Sequence, residues 1–183
     1  GCGHEENGEW VFRTFTTDRL TEDDEARIID DWLQHMGSVG ASSGSADPGR
    51  VIHWSFAEPV NYESAYDSAR NRHPDKGWPP LDWFDLWKKV FREEPVVVKG
   101  SLSFGLKAIA KALYFHGLIP TSWGDSQVDG LGAMVGAWSC DAEAQERGLS
   151  SMKDIDLMVE ITKYNEVDCK VMWGILAYLR AHH

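Results

Sequence analysis

An α/β domain is what this sequence predicts, on three observations. Short runs of alternating β-branched and aromatic residues mark strands near the N-terminus and around residue 51. Apolar residues recur at three- and four-residue steps through Gly105–Phe115 and from Ser151 to about Ala181. The strand-like runs alternate along the chain with the helical ones, which is the order of a sheet covered by helices.

The elements follow in sequence. Glu9-Trp-Val-Phe-Arg-Thr-Phe-Thr16 alternates in the manner of a strand and follows Asn7-Gly8, a hairpin-turn pair, so a hairpin is expected with its first strand ending near Gly1–Gly3. Thr21 caps a helix whose first turn is filled by Glu22, Asp23, Asp24 and Glu25, with Ile28, Ile29, Trp32 and Leu33 as its apolar stripe. Gly37 to Gly49 is rich in Gly, Ser and Ala and predicts a loop. Val51–Phe56 predicts a short strand, followed by a helix from Glu58 or Pro59, since proline suits a first helical turn. Asn71–Pro80 predicts a second loop, Leu81–Arg92 a helix, and Pro95–Lys99 an edge strand or an extended connector. Gly105–Phe115 predicts an amphipathic helix stopped by Gly117 and Pro120; Asp125–Trp138 predicts a Gly/Ala-rich helix packed closely on a neighbour. No repeat and no long linker divides the 183 residues, so residues 1–183 are expected to form one domain.

Composition narrows the classes. Hydrophobic residues make up 43% of the chain, enough to build a core without cross-links. With nine Trp, several indoles are expected to lie half-buried, with the N–H bonded to a partner. The three cysteines, Cys2, Cys140 and Cys169, show neither a pairing framework nor zinc spacing, which predicts a reducing, cytoplasmic setting. No apolar run reaches the roughly 20 residues of a membrane helix. The net charge of −11 argues against an extended basic nucleic-acid footprint. The charge is uneven: residues 1–75 carry −9, residues 76–120 +3 and residues 121–183 −5. The middle segment, with Lys88, Lys89, Arg92, Lys99, Lys107 and Lys111, is therefore the stretch expected to face phosphate, or else to form a solvated helix face.

The C-terminal helix carries a misplaced acid. Leu157, Ile161, Tyr164, Asp168, Met172, Ile175 and Leu179 share one face, and all but Asp168 are apolar or aromatic. A buried carboxylate costs several kcal/mol unless it is paired, hydrogen-bonded or bound to a cation, so a metal ion is expected there, or else a Lys or Arg partner or a helix that lies at the surface at that point. Tyr164 lies one turn earlier, and its hydroxyl and the carboxylate can converge on one spot.

Tyr164-Asn-Glu-Val-Asp168-Cys169, followed by an apolar helix, resembles the last motif of the RNase H-like DEDD-type 3′–5′ exonucleases in their tyrosine variant. It is most similar to a group of RNase H-like nucleases found alone or beside RecB-type helicase modules. The resemblance implies a mixed sheet flanked by helices and two-metal phosphodiester hydrolysis with Mg²⁺ or Mn²⁺ on oxygen ligands. It implies Asp168 and Glu58 as metal ligands, and Tyr164 as the residue that orients the attacking water. Glu58 ends the strand-like run where relatives more often have Asp, and its longer reach bears on metal geometry. Read alone, Glu58 is equally a first-turn helix acid, and Asp67 is a weaker alternative. Ser103, Lys107 and Asn165 are candidates to contact substrate, although Ser101 or Ser103 also fits a helix cap. Asp85 is expected to be structural or a cap, and Asp129-Gly130 matches a pair in the same group with no role assigned.

The family's first motif, Asp-x-Glu on a first strand, has no counterpart. Glu5 and Glu6 fall in the predicted turn with the wrong spacing. The chain is thus expected to begin after that strand and to be weakly active or inactive by itself. Its sheet edges would then be covered by a homodimer, a swapped segment or a rearranged sheet. The expected function is cleavage of single-stranded nucleic acid ends, DNA or RNA. The alternative is a catalytically inactive RNase H-like binding or structural module of a helicase or polymerase assembly. No Gly-x-Ser-x-Gly context and no histidine ligand spacing supports another hydrolase.

Overall fold

The computed structural model describes residues 1–42, 49–54, 61–94, 96–124 and 130–183. The architecture is mixed α/β and mostly helical. Where one mixed sheet is expected, the described strands pair as two separate two-stranded sheets, one antiparallel and one parallel. The chain divides into two compact units, Gly1–His35 with Trp123–Lys170, and Met36–Ser122 with Val171–His183.

The first unit opens with the hairpin β1 (Cys2–Glu6) and β2 (Glu9–Arg13), in register from Cys2↔Arg13 to Glu6↔Glu9. Asn7 and Gly8 both have positive φ, 53° and 83°, the two-residue turn whose twist matches the flanking strands. Glu5 and Glu6 therefore belong to β1 and not to the turn, because the tight loop leaves every residue before Asn7 free to pair.

Helix α1 (Glu22–Ser42) begins as expected. The Thr21 hydroxyl accepts the Asp24 N–H at 3.2 Å, and Glu25 N–H closes the first turn on the Thr21 carbonyl at 2.9 Å. The helix then runs past Gly37 and Gly40 to Ser42, where a loop is expected from Gly37. A helical glycine costs only about 1 kcal/mol relative to alanine, and burial of His35 and Gly40 along the helix outweighs that preference.

Helix α4 (Gly130–Glu146) and α5 (Asp156–His182) supply the rest of this unit's core, α5 through its residues up to Lys170. Cys140 and Ala144 pack with Met152, Ile155 and Met158, flanked by Ala137, Leu149 and Ile161. A Cβ built on Gly136 would stand 3.2 Å from both Ile161 Cδ1 and Leu157 Cδ2, which is the close helix packing that the Gly/Ala-rich sequence predicts. The Thr17–Arg19 segment is pinned to the stretch before α5. Asp18 accepts hydrogen bonds from Ser151 Oγ at 2.7 Å, Arg27 at 2.8 Å and Lys153 at 3.0 Å. Arg19 bonds the Leu149 carbonyl and lies 3.6 Å from the Asp141 carboxylate. These partners hold the Asp18 carboxyl at about 2, below its ordinary range.

In the second unit, β3 (Val51–His53) pairs in parallel with β4 (Trp83–Asp85). The strand β4 corrects the helix expected from Leu81. Three residues are too few for periodicity to separate strand from helix, and the pairing with Val51–His53 decides it. Trp87–Arg92 forms a π-helical turn immediately after it, so the helical expectation holds for the latter part. Asp85, buried, accepts the Lys88 backbone N–H at 3.0 Å and is the cap that was expected. Helix α2 (Asn61–Arg72) follows β3, and Tyr66 is buried with its hydroxyl on the Pro79 carbonyl at 2.7 Å. Helix α3 (Leu106–Phe115) carries Ile109, Ala110 and Leu113 inward. It ends at Gly117 with the Leu118 N–H on the Leu113 carbonyl at 2.9 Å. Val96–Val98 is the extended connector. Ile119 lies against Gly174 of α5, beside the fully buried Val171 and Ile175.

Among the described residues, no helix is long and apolar enough to cross a membrane.

Candidate functional site

Tyr164, Asn165 and Asp168 fall within little more than one turn of α5, all in the first unit and all half-buried. The expected apolar stripe is only partly followed. Leu157 is 40% exposed, while the neighbouring Met158 is buried, because Cys140 and Ala144 of α4 pack at Met158. Asp168 consequently lies at the margin of the packed face and not at its centre.

Trp123 is a partner of the carboxylate. Its indole Nε1–H donates to Asp168 Oδ1 at 2.8 Å. Trp123 is itself half-buried, as expected of several indoles in this tryptophan-rich chain. The indole is a neutral donor, so this bond fixes one carboxylate oxygen without itself forming an ion pair. Sequence reading did not single out Trp123; the available signal was a tryptophan in a polar segment whose N–H needs an acceptor.

Two further side chains of α5 border this spot. Asn165 Oδ1 is buried and has no hydrogen-bond partner among the described residues. Cys169 directs its thiol to the Gly1 carbonyl at 3.9 Å. Burial pushes that thiol up to about 11, and the Asp168 and Glu166 carboxylates add to the effect. Burial thus disfavours the thiolate form that a nucleophilic cysteine needs.

The oxygen donors present, the Asp168 carboxylate and the orphaned Asn165 amide oxygen, suit a hard divalent cation in kind. In number they form one wall of such a site. Among the described residues, no group of three His, Cys, Asp or Glu side chains is placed to hold an ion. Glu58, the other expected ligand, lies outside the described residues, as does Asp129.

The remaining candidates belong to the second unit. Lys107 lies in the first turn of α3 and is half-buried. Ser103 is exposed, and its carbonyl accepts the Ser101 hydroxyl at 2.7 Å. Neither serine caps α3: Gly105 holds that position with no side-chain bond, because the serines close their own local turn. Asp67 is a surface acid of α2, 3.4 Å from Arg70.

Comparison of the chain with protein-family models, curated proteins and solved structures found no match.

Proposed function

We propose that the chain is an RNase H-like, metal-dependent phosphodiesterase domain of the tyrosine DEDD type, trimming single-stranded nucleic acid from its 3′ end. The observation that carries this reading is the α5 arrangement: a half-buried Asp168 held by a neutral indole, with Tyr164 one turn before it and the unpartnered Asn165 oxygen beside it. The indole N–H carries no formal charge, so this bond orients the carboxylate without itself forming an ion pair.

When bound, Mg²⁺ or Mn²⁺ would supply charge neutralisation at phosphate and an activated water. The chain's own contribution is positional. The Trp123 N–H orients the Asp168 carboxylate through its Oδ1 oxygen. The Tyr164 hydroxyl would orient the attacking water, and Asn165 would offer a second hard oxygen.

The test is trimming of an end-labelled oligonucleotide by the protein in its full natural length, with Mg²⁺, Mn²⁺ or EDTA. Metal-dependent shortening from the 3′ end is expected, abolished by Asp168→Asn and reduced by Tyr164→Phe, with Glu58→Gln testing the other expected ligand. Trimming that survives Asp168→Asn unchanged overturns the assignment.

A second reading, a catalytically silent module serving a helicase or polymerase partner or a homodimer, is favoured by the net charge of −11. Under that reading the full-length protein is inert with every metal, while Asp168→Asn still alters stability.

A further inference from the structure

A second site stands in the first unit, away from the Asp168 carboxylate. The residues leaving β2, one side of α1 and the start of α5 enclose a cleft of about 480 Å³. Four of its wall residues are cations, Arg13, Arg27, Lys153 and Lys163, against one acid, Asp31. In a chain of net charge −11, such a concentration of positive wall groups runs against the composition. Its volume falls in the range of about 300–1,000 Å³ usual for small-molecule sites.

The cations are held in two ways. Arg27 is paired with Asp24 at 2.6 Å and Asp18 at 2.8 Å, Lys153 with Asp18 at 3.0 Å, and Lys163 with Glu160 at 2.9 Å. These pairs fix the head groups without consuming all their donors. Arg13 differs: its guanidinium lies 5.2 Å from the centre of the Phe15 ring, and it has no carboxylate partner among the described residues. It supplies the uncompensated charge, and its fork of N–H donors is the group best matched to a phosphate.

The rest of the wall is apolar and hydroxylic. Ile28 and Phe15, whose ring carries the Arg13 guanidinium over one face, offer aliphatic and ring surface, and Asp31 an acceptor for hydroxyl groups. Cations for a phosphate, an aromatic face for a base and a carboxylate for sugar hydroxyls together describe one ligand class. We propose that this cleft binds a nucleoside phosphate.

The cleft is independent of the nuclease reading. Val159, part of its wall, precedes Asp168 by about two and a half helical turns and so faces the opposite side of α5.

Calorimetric titration of the full chain in EDTA tests the proposal, with a 5′-nucleoside monophosphate, the matching nucleoside, inorganic phosphate and a single-stranded oligonucleotide as probes. The monophosphate is expected to bind, to be displaced by inorganic phosphate, and to outbind the nucleoside by about tenfold or more, the worth of one charge-assisted hydrogen bond. Arg13→Gln and Lys163→Gln should each weaken it by about the same factor, and Asp168→Asn should leave it unchanged. Equal affinity for nucleoside and monophosphate overturns the proposal, as does undiminished binding by both cleft variants. Loss of binding in Asp168→Asn, or binding of the oligonucleotide alone, overturns it too. Oligonucleotide trimming, if present, should persist in Arg13→Gln, so that failure of the cleft and failure of the nuclease reading give different results.

Discussion

The Trp123 indole donates to Asp168 Oδ1 across 45 residues of sequence, at 2.8 Å, and satisfies one oxygen of a half-buried carboxylate on α5. Replacing the indole by a ring of similar shape isolates that bond. Trp123→Phe leaves a half-buried carboxylate oxygen without its donor, and is expected to lower stability by about 1–3 kcal/mol. Urea unfolding at pH 7 measures it. Asp168→Asn in the Trp123→Phe background should recover part of the loss, since an amide is cheaper to bury than a charge. No change of midpoint in the single variant would mean that the bond is not formed in solution.

The contact between α4 and α5 gives a second prediction. At Gly136 an added methyl meets only the ends of two flexible side chains, Ile161 and Leu157, at 3.2 Å. Gly136→Ala should therefore be close to neutral, the helix-propensity gain of about 1 kcal/mol offsetting the crowding. Gly136→Val has no such room and is expected to destabilise by about 1–3 kcal/mol. Thermal unfolding of the two variants separates them. Equal behaviour of Ala and Val would show that the helices are not in close contact there.

His35 sets a pH dependence. It is 8% exposed, with its ring 5.2 Å from that of His4 and 5.6 Å from that of Phe15. Burial lowers its affinity for a proton below the ordinary value of 6.5, and the charges of His4 and Arg13 act in the same direction, opposed by Glu6. The unfolded chain therefore binds a proton more readily than the folded one. This contribution to stability is complete above about pH 6.5 and is lost as pH falls below it, towards the lower folded-state value. Urea midpoints at pH 7.5 and 5.5 should differ in the native chain, and differ less in His35→Phe. A midpoint that rises on acidification would contradict the assignment.

What could be read from the residues depended on the range of the interactions. The hairpin at Asn7-Gly8, the Thr21 cap, the stop at Gly117 and the α5 helix are decided by neighbours a few positions apart, and each is present as expected. The same local logic misjudged Gly37–Ser42, where tertiary burial outweighs glycine's weak helical preference. It also misjudged Trp83–Asp85, where a partner strand 32 residues away decides between strand and helix. Tyr164, Asn165 and Asp168 were legible as a constellation because one helix carries all three. Trp123, and the convergence of Arg13 with Lys163, were not. Each pair is joined by folding alone, and the cations of the cleft come from the two acidic ends of the chain and not from its basic middle.

The bonds from Asp18 and Arg19 to Asp141, Leu149, Ser151 and Lys153 join parts of the chain that leave the ribosome far apart in time. The hairpin and the start of α1 are made well before the residues up to Lys170 that complete their unit. Residues 36–122, which belong to the other unit, are synthesised in between, so the hairpin waits through them for its partners. Such long-range closure makes for slow assembly. It also leaves the half-made chain open to unwanted association during translation, a hazard that vanishes only when its last third is in place.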